Sequence, residues 1–115
     1  MMRPEAKSLS LHRAVQRKIA ASADPMAWVE KALDWARPGA MARPEDVWLV
    51  EWVDLLTVIL NGERSLNDLY DLMLSGEQHA IDMRQSTPFS VVLTVPERTR
   101  ALLSFEDAWR DRRSA

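Results

Sequence analysis

The sequence predicts an all-α protein, a single compact domain built as a bundle of about five to seven helices around one central apolar helix. Three observations lead to this fold class. A long apolar run with helical spacing lies near the middle of the chain, helix-start signals recur along its length, and only one short stretch has a strand-like composition. A chain of 115 residues can bury a sizeable core without disulfides or a structural metal.

The central helix is predicted at about residues 44–61. Trp48, Trp52, Leu55 and Ile59 recur on one side of it, and further apolar side chains flank them, so the helix needs neighbours on several sides. We expect Pro44 in its first turn and a stop at Asn61-Gly62. The run is shorter than the roughly 20 apolar residues of a membrane span and carries two carboxylates, which favours a core helix.

Two helices are predicted before this one. Residues 8–22 carry an apolar stripe with basic side chains outside it. Asp24-Pro25 is a strong helix start, and Arg37-Pro38-Gly39 is the expected end of that second helix.

Several helix-start and turn signals follow the central helix at short intervals. Capping-box patterns beginning at Ser65, Ser75 and Thr94 each predict a helix start, and Ser104 is expected to restart a last helix. Residues 90–95 are the strand-like stretch. With no second strand to pair with, a helical turn or an extended packed segment is favoured there, although the composition also allows a strand.

Charge is unevenly distributed around a net value of −2. Residues 1–23 sum to +4, residues 24–82 to −8 and residues 83–115 to +2. We expect a basic arm at residues 1–7 and a basic tail at residues 110–115, a pattern compatible with self-association, a basic partner or nucleic-acid contact.

The sequence offers little catalytic or metal-binding chemistry. Cysteine is absent, which excludes disulfides, thiol nucleophiles and cysteine-ligated metals, and no phosphate-binding glycine motif occurs. Glu51 and Asp54 lie one turn apart on the polar strip of the central helix, and His79 with Asp82 forms a polar pair. We expect these to be solvated surface groups, with a small enzyme using Glu51, Asp54 or His79 as the weakest alternative. No cofactor is expected.

His12 and the tryptophans are interpreted structurally. His12 is expected to be partly exposed on a basic helix face, without the orienting partner that a general base needs. Four tryptophans are expected in the core, and Trp109 is expected to be exposed as an interface anchor. The four are Trp28, Trp35, Trp48 and Trp52.

Two surfaces are candidates for binding. The first is a partner-binding surface made by a proline-containing turn and the basic C-terminal segment. Its residues are Arg84, Gln85, Ser86, Thr87, Pro88, Phe89, Trp109 and Arg110. The second is an alternative nucleic-acid surface on the basic N-terminal segment. Its residues are Arg3, Lys7, Arg13, Arg17 and Lys18.

Several short motifs, in order, resemble a family of small uncharacterised bacterial all-α proteins with an LHR start, a DP helix start and an RQSSPF-type close. The chain departs from that pattern at Thr87, where the family has Ser, at Ser90-Val91, where it has Ala-Gly, and at Thr99, where it has Trp. The resemblance implies a helical, antitoxin-like accessory protein beside a partner gene, and it brings no enzymatic residues. The motifs are Leu11-His12-Arg13, Asp24-Pro25, residues 52–56, residues 84–93 and Glu97-Arg98.

The leading interpretation is therefore a non-enzymatic protein–protein interaction module, the antitoxin-like or accessory member of a two-protein system, with another protein, for example a cognate toxin, as its partner. Self-association remains an open alternative, as does a DNA-binding regulator using the basic N-terminal helix. No secretory segment follows the N-terminal methionines, so the expected location is cytoplasmic, with no membrane partner.

Overall fold

The computed structural model describes residues 2–114. Within this range the regular structure is entirely helical, without a strand, which confirms the predicted all-α fold class. Six helices follow one another in the described chain: α1 (Arg3–Ala21), α2 (Pro25–Ala42), α3 (Val47–Leu60), α4 (Leu66–Leu74), α5 (Gln78–Gln85) and α6 (Val95–Ser114).

Two helices organise the core. The apolar helix α3 packs against α2, α4 and α5, while α1 packs against α2, α4, α5 and α6. Ile19 of α1, Trp52 and Leu56 of α3, Met73 of α4 and Phe89 of the α5–α6 connection are all fully buried. The predicted central helix therefore shares its organising role with α1, because α1 also packs against α4 and α5.

Local capping explains most of the helix starts. Asp24 accepts a hydrogen bond from the Ala27 N–H at the start of α2, and Ser65 forms the complete capping box with Asp68 at the start of α4. Thr94 and Glu97 bond reciprocally at the start of α6, at 2.8 and 3.3 Å. These predicted starts are confirmed.

Both terminal helices are longer than the sequence patterns indicate. Residues 3–7, expected as an arm, form the first turns of α1, with Pro4 in a position where its missing N–H costs no helical bond. Helix α6 runs unbroken through Ser104 and includes residues 110–114 of the expected tail at 110–115, whose last residue lies outside the described residues. An ion pair between Arg3 and Glu106 helps to align the two helices, because it joins the start of α1 to the second half of α6.

Helix α2 also passes its predicted end and continues through Pro38. Its last turns pack against α3, where Ala36 and Ala40 contact Leu49. Gly39 belongs to the same contact, since a Cβ at that position would lie 3.3 Å from Leu49 Cδ2. Tertiary packing thus outweighs the local preference of Pro38 to end the helix.

The start of α3 and the start of α5 differ from prediction as well. Asp46 is the N-cap of α3 and accepts from the Leu49 N–H at 3.2 Å, so Pro44 lies outside the helix. At α5 the predicted capping box is absent, because Ser75 Oγ accepts from the Glu77 N–H and Glu77 itself becomes the N-cap.

The connections of α3 and α5 follow expectation. Gly62 adopts a φ of 81° directly after Asn61, which is the predicted stop of α3. Residues 90–93 form turns, with the Val92 N–H donating to the Phe89 carbonyl, so the turn interpretation of this stretch is correct. No helix in the described range is both long enough and apolar enough to cross a membrane.

Candidate partner-binding groove between α1 and α6

The segment expected to present a partner surface, Arg84 to Phe89, lies mostly inside the protein. Arg84 is only 2% exposed, Pro88 and Phe89 are buried, and Gln85 alone is fully at the surface. The expectation that this turn displays Arg84 to a partner is therefore wrong. The reason is that α1, α3 and α4 cover it.

Arg84 closes the C-terminal end of α4. Its Nη1 donates to the carbonyl oxygens of Met73 and Ser75, at 3.1 and 2.8 Å, where the helix leaves acceptors without intrahelical donors. Within residues 2–114 the buried Nη2 has no hydrogen-bond partner. Burial lowers the pKa of Arg84, and the charge of Arg13 lowers it further.

The residues after Arg84 connect three helices. Ser86 Oγ donates to the N-cap carboxylate of Asp46 at 2.8 Å, and Thr87 Oγ1 accepts from the Phe89 N–H at 3.1 Å. The Phe89 ring meets Trp52 edge to face, with centroids 5.2 Å apart, and meets His12 in the same way at 6.1 Å. This turn is an element of the protein core.

His12 is also buried, contrary to the expected half-exposed position, and only 4% of it is accessible. Its Nδ1 lies 2.7 Å from the Ser8 carbonyl and its Nε2 lies 2.9 Å from Thr87 Oγ1. Burial is the main cause that lowers the pKa of His12, to about 4. Both ring nitrogens are engaged, so the imidazole links α1 to the connection between α5 and α6.

The tryptophans divide between core and surface. Trp52 is fully buried and donates its indole N–H to the Met83 carbonyl at 2.6 Å, while Trp28 and Trp48 are half-buried against the core. Trp35 is 50% exposed, which corrects its predicted place in the core.

The residues considered for enzyme chemistry lie on the surface. Glu51 Oε2 contacts His79 Nε2 at 2.5 Å, and the His79 ring meets Trp48 edge to face at 5.3 Å. Asp54 is exposed, as expected for a solvated surface group. Asp82 accepts from Gln78 at 2.9 Å instead of pairing with His79. Across the described residues no group of three or more His, Cys, Asp or Glu side chains could hold a metal ion.

The strongest candidate site is where α6 lies on α1. Among the helices of the described chain, α6 packs against α1 alone, so much of its circumference has no partner. Phe105 is buried in this contact and stacks on Trp109, with ring centroids 5.7 Å apart. Trp109 was predicted to be exposed but is half-buried, and the Arg112 guanidinium lies 5.7 Å from its ring centroid.

A groove follows one side of this helix pair, and we call it the α1–α6 groove. It consists of two adjoining depressions of about 250 and 180 Å³, which share Ser10, Arg13, Phe105 and Ala108. Its remaining lining residues are Ala6, Leu9, Arg17, Ala101, Ser104, Trp109 and Arg112.

Cations in and beside this groove lack counterions. Arg13, Arg17 and the neighbouring Arg100 form no ion pair with any described residue. Lys18 differs, because it donates to Glu97 at 2.6 Å and to the Val92 carbonyl at 2.7 Å. The hydrogen bond from Lys18, with that from the Thr94 N–H, lowers the pKa of Glu97 to about 2.

The five residues considered for nucleic acid do not line one shared surface depression. Arg3 pairs with Glu106, Lys18 pairs with Glu97, and Lys7 lines a different cleft. Only Arg13 and Arg17 line the α1–α6 groove.

Sequence reasoning missed Phe105, Arg100 and Arg112 as members of one site with Arg13. The spacing of Ala101, Phe105, Ala108 and Arg112 along α6 is a helical stripe that could have indicated a shared face. Nothing in the sequence indicates that this stripe meets α1. Comparisons with protein-family models, with curated protein sequences and with solved structures gave no match.

Proposed function

We propose that this chain is a non-enzymatic protein–protein interaction module that binds an acidic partner surface along the α1–α6 groove. The carrying observation is the groove itself, in which Trp109 and Phe105 lie beside Arg13, which forms no ion pair with a described residue. Tryptophan and arginine are the residue types that most often dominate the energy of protein interfaces. The motif resemblance supports an antitoxin-like accessory role, with the partner encoded beside this chain.

The apolar content of the groove favours a protein over a nucleic acid. Leu9, Ala6 and Ala108 line it together with the two aromatic rings, and Leu103 on the outer side of α6 is 60% exposed. Asp107 and Asp111 are exposed on the same helix and would face phosphates unfavourably. A mixed apolar and basic surface of this kind suits a protein with an apolar centre and an acidic rim.

Co-purification with the products of neighbouring genes tests the proposal. We expect wild-type protein to form a heteromeric complex of defined stoichiometry that Arg13→Glu and Trp109→Ala disrupt. The matched controls are Arg37→Glu and Trp35→Ala, which change an exposed arginine and a half-exposed tryptophan outside the groove. Circular dichroism of each variant checks that the helices remain. A complex that survives both groove variants, or a chain that stays monomeric without a partner, contradicts the proposal.

DNA binding is the second candidate, favoured by one observation. Arg13 and Arg17 lie one helical turn apart and form no ion pair within residues 2–114, and Arg100 lies beside Arg17 in an adjoining depression. A mobility shift at about 50 mM salt that weakens steeply as salt increases, and that is lost in Arg13→Glu, supports this candidate. The absence of a shift at that salt concentration excludes it.

A further inference from the structure

A second cleft lies between α1 and the turn that connects α5 to α6. Its volume is about 310 Å³, within the range of small-molecule sites. It shares no lining residue with the α1–α6 groove, so it is independent of the proposed partner surface. Its lining residues are Pro4, Lys7, Ser8, Leu11, His12, Val15, Thr87, Phe89, Ser90, Leu93 and Arg98.

The floor of this cleft is apolar and held in place from below. Val15 and Phe89 are buried in the core, and Leu11 and Leu93 are half-buried beside them. Phe89 is fixed by its edge-to-face contacts with Trp52 and His12. A floor of this kind accommodates a hydrocarbon or aromatic body without rearrangement of the protein.

The mouth of the cleft is positively charged. Lys7 and Arg98 both line it, and neither forms an ion pair with a residue in the described part of the chain. The lining set contains no carboxylate. The hydroxyl groups of Ser8 and Ser90 belong to the lining and can supply further hydrogen bonds. An anionic group at the mouth would therefore meet two cations and hydroxyl donors.

His12 does not supply the charge. Its nitrogens are engaged by Ser8 and Thr87, and its low pKa keeps the ring neutral near pH 7. The preference of the cleft for an anionic group thus depends on Lys7 and Arg98. The apolar floor favours a ligand with an apolar body.

We propose that this cleft binds a small monocarboxylate whose carboxylate lies between Lys7 and Arg98 and whose apolar tail lies on Leu11, Phe89 and Leu93. Ligands of this class are short-chain or medium-chain fatty acids and arylalkanoic acids. A ligand with one carboxylate fits this lining because a single small head group can contact both cations, while the rest of the ligand packs on the predominantly apolar floor.

Titration of the full chain with octanoate, followed by two-dimensional ¹H–¹⁵N NMR, tests this site. Octylammonium and octanol serve as probes of equal length with the opposite charge or none. We expect saturable shifts at the amides of Ser8, Ser90 and Leu93 with octanoate alone. Removal of one charge-assisted contact in Lys7→Gln or Arg98→Gln is expected to weaken octanoate binding about tenfold.

Arg100→Gln is the matched control, because it makes the same charge change two residues along α6 without touching the cleft. Ser90→Trp tests the shape of the site, since an indole at this exposed lining position should fill the cleft and abolish binding. The spectrum of each variant reports whether it is folded. Equal binding of octylammonium, equal weakening by Arg100→Gln, or no saturable shift with octanoate overturns the proposal.

Discussion

His12 Nε2 and Thr87 Oγ1 lie 2.9 Å apart and join two side chains that are 75 residues apart in the chain. The Ser8 carbonyl can only accept, so Nδ1 of His12 carries the ring proton and Nε2 accepts from the Thr87 hydroxyl. Thr87 Oγ1 in turn accepts from the Phe89 N–H. This chain of hydrogen bonds fixes the α5–α6 turn on α1, and burial of His12 keeps the imidazole in it neutral.

The buried imidazole predicts acid-sensitive stability. The pKa of His12 falls from 6.5 in the unfolded chain to about 4 in the folded protein. The unfolded state therefore binds more protons between these values, and stability present above about pH 6.5 is lost as pH falls toward 4. The shift corresponds to about 3 kcal/mol, measurable by urea unfolding at pH 7 and pH 4.5.

Two variants isolate this contribution. In His12→Leu the difference in unfolding free energy between the two pH values should shrink by most of that amount. In His79→Gln, which removes a largely exposed histidine, the difference should persist. An unchanged pH dependence in His12→Leu would show that other groups cause it.

Arg84 should matter for stability and not for recognition. Arg84→Met removes both hydrogen bonds to the end of α4 and leaves the Met73 and Ser75 carbonyls without this donor. We expect a loss of about 2–4 kcal/mol in the free energy of unfolding, partly offset by removal of a buried charge. Chemical denaturation measures this loss. The exposed Arg37→Met should change stability by no more than about 0.5 kcal/mol. If Arg84→Met keeps full stability but abolishes a partner complex, Arg84 acts in partner recognition and this prediction is wrong.

Trp52 and Trp35 form a second matched pair. Trp52→Phe removes the 2.6 Å bond to the Met83 carbonyl and leaves a space beside Phe89. The expected cost is about 2–4 kcal/mol, against less than about 0.5 kcal/mol for Trp35→Phe at its half-exposed site. Urea denaturation followed by circular dichroism compares the two. Similar losses of unfolding free energy in both variants would contradict the burial of Trp52 and the exposure of Trp35.

Pro38 offers a stabilising substitution. It lies inside α2, is exposed, and lacks the N–H that would bond to the Asp34 carbonyl one turn earlier. Pro38→Ala should therefore raise the free energy of unfolding by about 1–3 kcal/mol, measured as a higher denaturation midpoint at constant m-value. A loss of stability would mean that the proline is needed for the close packing of Gly39 on Leu49.

The sequence predicted most of the helix starts because their signals are local. Asp24, Ser65 and Thr94 each bond to an N–H group three residues ahead, so the residues that decide the structure are adjacent in the chain. The predictions failed where a distant surface outweighed a local signal. Helix α2 continues through Pro38 because its last turns pack on Leu49, and α6 passes Ser104 because α1 lies beside it.

The sequence indicated some residues of the candidate groove but not that they lie together. Arg13, Arg17 and Trp109 were recognised from residue type, but in two different proposed surfaces at opposite ends of the chain. These three residues come together in one groove because α1 packs against α6. The helical spacing within one segment does not indicate which other helix packs against that segment.

The sequence by itself determined the fold class, the apolar helix α3 and most of the helix starts, because periodicity and capping depend on residues that are close together in the chain. Only the tertiary structure decided which polar and aromatic side chains face water. Arg84 and His12 are buried and Trp35 is exposed because burial depends on the presence of another helix over that face. For the same reason, the Arg84 turn is buried and the candidate binding site is instead the groove between α1 and α6.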